Sequence, residues 1–318
     1  MGGCALLVIA CGRVGLLPGN PADPDAGAGG GAGVRAQPSE AGMPPSLSNG
    51  GAPPSSSQAG APPVLSDGGA VGAADACALP LHFDALPWLP VGQRPLWLAA
   101  ADFDADGKMD VVTTAVGSSR IGINFGQDNA SFAGLMLYPT AAKDLGQGVV
   151  ADLTGDGLVD IAVVVEGGVR ILVNRGKRQF EDPITLTVAE RPVALAAADL
   201  SGDQRLDLAV ATYTETITVL LNQGGGTFSE PKAYPAGFGT RDVAAGDVNG
   251  DGAVDLVVAN VLSTTVSLLL NQGAGTFGEP VLYEVGTAPI SVALVDLDAD
   301  GDRDIATANS DSATSPCC

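Results

Sequence analysis

Five nine-residue segments hold side-chain oxygens at positions one, three, five and nine. The first holds Asp102, Asp104, Asp106 and Asp110; the second, Asp152, Thr154, Asp156 and Asp160. The third holds Asp199, Ser201, Asp203 and Asp207; the fourth, Asp247, Asn249, Asp251 and Asp255; the fifth, Asp296, Asp298, Asp300 and Asp304. Hard oxygens gathered from one tight turn are what Ca²⁺ requires, since it takes six to eight of them. Glycine at position six in four copies permits the backbone angle of such a turn. Turn propensity alone explains the Asp and Gly content but does not demand an acid at position nine. Calcium in all five loops is therefore the expectation, with the carbonyl of position seven as a further ligand.

The loops are not equal. The first and fifth offer four carboxylates each and should bind best. The third carries Gln204 where the others carry glycine, so it is expected to be the weakest or to stand empty, which makes the expected count up to five ions. The EF-hand begins its loop in the same way but needs Glu at position twelve and flanking helices. Position twelve here is Thr113, Val163, Val210, Val258 or Thr307, and the flanks are β-prone, so the EF-hand is excluded.

The loops start 50, 47, 48 and 49 residues apart, and the repeat extends beyond them. An apolar run precedes each loop and another follows it. A third run ends in Asn (VRILVN, ITVLLN, VSLLLN), and a Gly-rich turn ends in Phe (NRGKRQF, NQGGGTF, NQGAGTF). Four short β-prone runs per unit, with a period near fifty, predict an all-β fold of four-stranded propeller blades. Phe132, Phe180, Phe228 and Phe277, with Phe83 as the leading copy, are expected to plug the spaces between blades.

The fifth unit ends early and is expected to lack its third strand. The segment from His82 to Pro95 matches the fourth strand of a preceding blade. Either the ring is a truncated form of a larger one or the chain is an open arc, able to self-associate through exposed strand edges.

The repeat resembles the FG-GAP family, as in integrin α-chain propellers, and is still more similar to the bacterial VCBS repeats. The resemblance covers about Phe83 to Asn309. It implies a β-propeller with calcium in the loop between the first two strands of a blade, usually in an extracellular protein.

Composition divides the chain. Residues 17–76 are almost all Gly, Ala, Pro, Ser and Asn, a composition that buries too little apolar surface to fold, so a disordered tether is expected. Residues 1–16 resemble a bacterial lipoprotein signal. Val8, Ile9 and Ala10 precede Cys11, the expected lipidation site, and the chain is expected at the outer membrane or cell surface through that lipid. Residues 77–318 hold the repeats. A bridge from Cys77 to Cys317 or Cys318 would suit an oxidising compartment.

The net charge of −21 excludes nucleic acid as a partner. Seventeen of the 36 acids occupy ligand positions, and five Ca²⁺ would bring the charge to about −11. His82 is the only histidine, which excludes Ser-His-Asp and H-E-x-x-H chemistry. No enzyme activity is expected. Two functions remain: a surface-anchored binding or adhesion module for an extracellular glycan or protein, or an accessory domain of a secreted polysaccharide-active system.

Overall fold

The computed structural model describes residues 6–10, 13–17, 89–91, 94–128, 131–188 and 191–310. Every element among them is a strand. They form five four-stranded sheets, or blades, and one two-stranded ribbon, Asn222–Gly224 with Thr227–Phe228, in the turn of blade three.

Blade one is built from Pro95–Ala101, Asp110–Ala115, Arg120–Asn124 and Met136–Pro139. Blade two takes Gly148–Ala151, Asp160–Val165, Gly168–Leu172 and Ile184–Thr187. Blade three takes Pro192–Ala198, Asp207–Thr212, Thr216–Leu220 and Lys232–Pro235. Blade four takes Thr240–Gly246, Asp255–Asn260, Thr265–Leu269 and Val281–Glu284. Successive strands in each blade pair antiparallel, the order a meander requires.

The second strand of each blade explains why the sheets stack. Successive side chains on a strand point to opposite faces. In Asp160–Val165 all six residues are buried. Ile161, Val163 and Val165 pack into the core shared with blade one, while Ala162 and Val164 pack into the core shared with blade three. The next blade repeats this: Leu208 and Val210 face blade two, and Ala209 and Ala211 face blade four. A strand buried on both faces reads as a continuous apolar run, as DIAVVV does here. Each fully buried Val or Leu contributes about 1.5–3 kcal/mol.

Among the described residues the buried side chains form four cores, one at each junction between successive blades. None joins blade five to blade one. The innermost strands likewise lie side by side from first to fifth without a comparable contact between the ends. Among the described residues nothing covers the two end faces. On the first strand, Trp97 packs toward blade two while Leu96 and Leu98 alternate outward, the latter 69% exposed. On the last, Val292 packs toward blade four while Ile290 and Val295 are exposed.

Blade five is completed from the start of the chain. Its repeat supplies two strands, Pro289–Val295 and Asp304–Asn309. The missing third place is filled by Leu6–Ala10, parallel to Asp304–Asn309, and the fourth by Arg13–Leu17. A β-rich apolar segment read as a leader is also a competent strand, and Leu6 pairs with Ile305 through Ala10 with Asn309. The segment proposed for that edge, residues 82–95, lies mostly outside the described residues. So do Cys11, the tether at 18–76, Cys77, Phe83, Cys317 and Cys318.

Candidate metal centre

Each Asp loop joins the first and second strands of its blade, and position nine opens the second strand. The position-nine side chains are buried: Asp110, Asp160, Asp207 and Asp255 at 0% exposure and Asp304 at 1%. Their oxygens are held by backbone amides. Asp207 Oδ2 accepts from the amides of Leu200 and Ser201, both at 2.9 Å, and Oδ1 from that of Asn222. The other loops repeat the pattern, from Phe103 and Gly126 onto Asp110 and from Val248 and Asn271 onto Asp255. Burial pushes the carboxyls of Asp110, Asp160, Asp207 and Asp255 above the ordinary range, although the amides pull the other way. Position nine is thus first a splint. It ties the loop to the end of the blade's third strand, a role the sequence did not show.

Positions one and five shape the turn. Asp102 accepts from the amides of Asp106 and Gly107 at 3.1 and 2.8 Å, and Asp247 from those of Gly250 and Gly252, both at 2.8 Å. In all five copies position five accepts the amide of position seven, as Asp251 does from Ala253 at 2.8 Å. Turning that amide inward leaves the carbonyl of position seven as the expected further ligand.

Position three differs between the loops: Asp104 Oδ2 accepts from Arg178 Nε, and Asn249 Oδ1 and Asp298 Oδ1 accept from the position-five amides, but one oxygen in each of the first three loops has no partner. Asp104 Oδ1, Thr154 Oγ1 and Ser201 Oγ are buried and accept or donate no hydrogen bond. A buried polar atom without a partner costs about 1–3 kcal/mol, so three at one repeat position call for a ligand. In the first loop, oxygens of Asp102, Asp104 and Asp106 lie within 4.8 Å of one another, and in the fifth so do those of Asp296, Asp298 and Asp300. These are the two loops expected to carry most carboxylates. The donor set suits Ca²⁺: hard oxygens, carboxylate-rich, on a tight turn.

Gln204 does not distort the third loop. It adopts φ +70°, in the range where Gly107, Gly157 and Gly252 lie, and donates its amide to Asp199 at 2.7 Å. A side chain held there is strained by about 1 kcal/mol. Gln204→Gly should raise the unfolding free energy by up to about 1 kcal/mol in urea titration. A lower midpoint in the variant would show that the side chain has a contact worth more than the strain.

Each blade's Gly-rich turn is stitched to the blade before it. Asn174, Asn222 and Asn271 donate to the position-two carbonyls of the preceding loops, Phe103, Leu153 and Leu200, each at 2.8 Å. Each also caps its own loop, at Val159, Leu206 and Val254. Blade one has Gly126 at this place and no described blade before it. Phe180, Phe228 and Phe277 pack at blade junctions as expected, with Phe277 edge-on to Tyr234 at 5.3 Å. Phe132, in blade one, is half-buried and belongs to none of the four cores.

The sequence profile of the FG-GAP-like repeat matches residues 152–210, 199–258 and 247–307. No curated protein matches the chain. Among solved structures, similarity extends to a lectin of Agrocybe aegerita that recognises non-reducing terminal N-acetylglucosamine. The identity is 22%, over 67% of this chain and 60% of that one, with a TM-score of 0.47. A protein of Desulfotomaculum acetoxidans of unknown function aligns at 12% identity, over 63% and 59%, with a TM-score of 0.48. The V. cholerae biofilm matrix protein Bap1 aligns at 20% identity, over 61% and 29%, with a TM-score of 0.41. The chain therefore spans at most about 60% of the length of these three proteins.

Proposed function

Residues 152–307 place this chain in the FG-GAP-like repeat family, and from that membership we propose a calcium-binding, surface-anchored protein acting as a non-catalytic binding or adhesion module. One observation carries the calcium reading: at position three of the first three loops one buried oxygen, Asp104 Oδ1, Thr154 Oγ1 or Ser201 Oγ, has no hydrogen-bond partner among the described residues. Asp, Thr, Ser or Asn at that place are all oxygen donors to a hard cation. Positions one, three and five would hold the ion with the carbonyl of position seven, while position nine keeps the loop in shape. The ion's chemical contribution is charge compensation, since carboxylates this close repel one another.

The role of calcium is then structural. It stiffens the turns at one end of every blade and so fixes the surface those turns present. The anchoring part of the proposal rests on the lipoprotein-like pattern before Cys11; cleavage there would remove Leu6–Ala10 and leave the third place of blade five empty.

Calorimetry on the full chain tests the metal. Calcium should bind with dissociation constants of about 10⁻⁴–10⁻³ M, the range of extracellular modules. Each site should add about 2.7 kcal/mol to stability at a free concentration 100-fold above its Kd. Chelator should reverse the gain. A melting temperature indifferent to millimolar calcium, with no binding heat, would overturn the reading. Glycan-array binding by the calcium-loaded protein, absent in chelator, tests the module.

A further inference from the structure

The turn of blade two departs from its repeats at several residues, and one of them changes what the turn can reach. The Gly-rich turns of blades three and four place Gly226 and Gly275 two residues before the Phe, at φ +76° and +66°. Blade two has Arg178 there, also at φ +66°. The three positions are structurally equivalent. Tyr138, on the outer strand of blade one, donates its hydroxyl to the Arg178 carbonyl at 2.9 Å, and Tyr234 donates to the Gly275 carbonyl at 3.0 Å. An arginine forced into the left-handed region is strained, and strain kept in a fold points to a function for the side chain.

That side chain crosses the blade junction. Its Nε donates to Asp104 Oδ2 at 2.7 Å, and its guanidinium lies 4.5 Å from the centre of the Phe125 ring. Asp104 is position three of the first loop. Its side chain is only 7% exposed, and its other oxygen is one of the stranded atoms. Geometry explains why this place is reachable. A Cβ on Gly226 would lie 3.4 Å from Thr154, position three of the second loop. The turns of blades two and three thus overhang position three of the loop before them, and in blade two the overhanging residue is a cation.

We infer that Arg178 is a built-in competitor for the metal of the first loop, holding Asp104 neutralised so that this loop stays closed to divalent cations while Arg178 is in place. The inference rests on the calcium reading of the loops and reverses one expectation within it. The first loop, with four carboxylates, was expected among the strongest sites; its charge is instead answered from within the chain. Lys108, on Asp106 at 3.3 Å, adds a second internal cation. The fourth loop shows the contrast. Among the described residues the carboxylates of Asp247 and Asp251 bond to the loop's own amides and to Asn249, and to no cationic side chain.

Calorimetric calcium titration of the full chain tests this with four variants: Arg178→Gln, Asp104→Asn, the double variant and Asp251→Asn. Arg178→Gln should bind one more ion than the parent, and the double variant should lose it. Asp104→Asn alone should leave the parent's stoichiometry unchanged, because its loop holds no ion. This arm does not depend on Arg178→Gln folding well. In chelator the melting temperature of Arg178→Gln should fall, since Asp104 then stands buried and unanswered, and calcium should restore it.

If Asp251→Asn loses an ion while Arg178→Gln gains none, the calcium reading stands and this inference falls. If Asp104→Asn loses an ion, the first loop was already open and the inference also falls. If no variant changes the ion count and calcium stabilises none of them, both fall together.

Discussion

Asp207→Ala should lower the unfolding free energy by about 3–5 kcal/mol in urea titration, because three backbone amides, two of them fully buried, lose their acceptor at once. The amides of Leu200, Ser201 and Asn222 all end on this carboxylate, and the residue is fully buried. The loss is partly offset. Burial of a charge is itself unfavourable, as the upward pKa of Asp207 shows, and alanine removes that cost. Asp207→Asn should fall between the two, since its one oxygen can serve only one side of the splint. A variant as stable as the parent in chelator would mean that water reaches these amides. The same experiment separates splint from ligand: the chelator measurement reads the splint alone, and calcium dependence reads the rest.

Asn271→Ala should cost about 2–4 kcal/mol. One side chain closes three bonds: to the Leu200 carbonyl of blade three at 2.8 Å, to Val254 at 2.9 Å, and from the Gly273 amide at 2.9 Å. Two of these shape blade four and one crosses to its neighbour. Hydrogen exchange should therefore speed up on both sides of that junction and not at the junction of blades one and two. A change under about 0.5 kcal/mol, the scale of an ordinary surface substitution, would sink this account. Leucine at the same site, which fills the volume without the bonds, should be no better than alanine.

Much of this architecture can be read from the sequence because it is periodic. Alternation and turn residues recur every fifty residues, so the loops, the blades and the Phe plugs are visible as repeats of one another. Local rules also give the loop chemistry, since positions one, three and five act on their own amides. What fails to show is contact across blades. Asn271 reads as a turn residue at the end of VSLLLN, and its amide meets a carbonyl 71 residues earlier. Arg178 reads as one more basic residue in NRGKRQF until the neighbouring loop is placed beneath it. Position nine reads from the sequence as a ligand, and its second role, as acceptor for amides of the loop and of the third strand's end, depends on partners the spacing does not reveal. The filling of blade five by Leu6–Ala10 was hidden for another reason. A short apolar run has the same composition in a leader and in a strand.

The count of four cores for five blades has a consequence for how such a chain can change in length. In a closed ring every junction shares one rotation angle, fixed by the number of blades, so a duplicated or deleted unit forces all of them to readjust. In an arc each junction answers only to its two blades. A unit gained or lost at an end leaves every remaining junction as it was, provided its bare face is covered or tolerated. The asymmetry at Gly126 fits this: the residue that reaches backward is present in blades two to four, where there is a described blade to reach, and absent in the first. Recombination among near-identical repeats would then give a series of proteins of different reach, each folded by the same local rules.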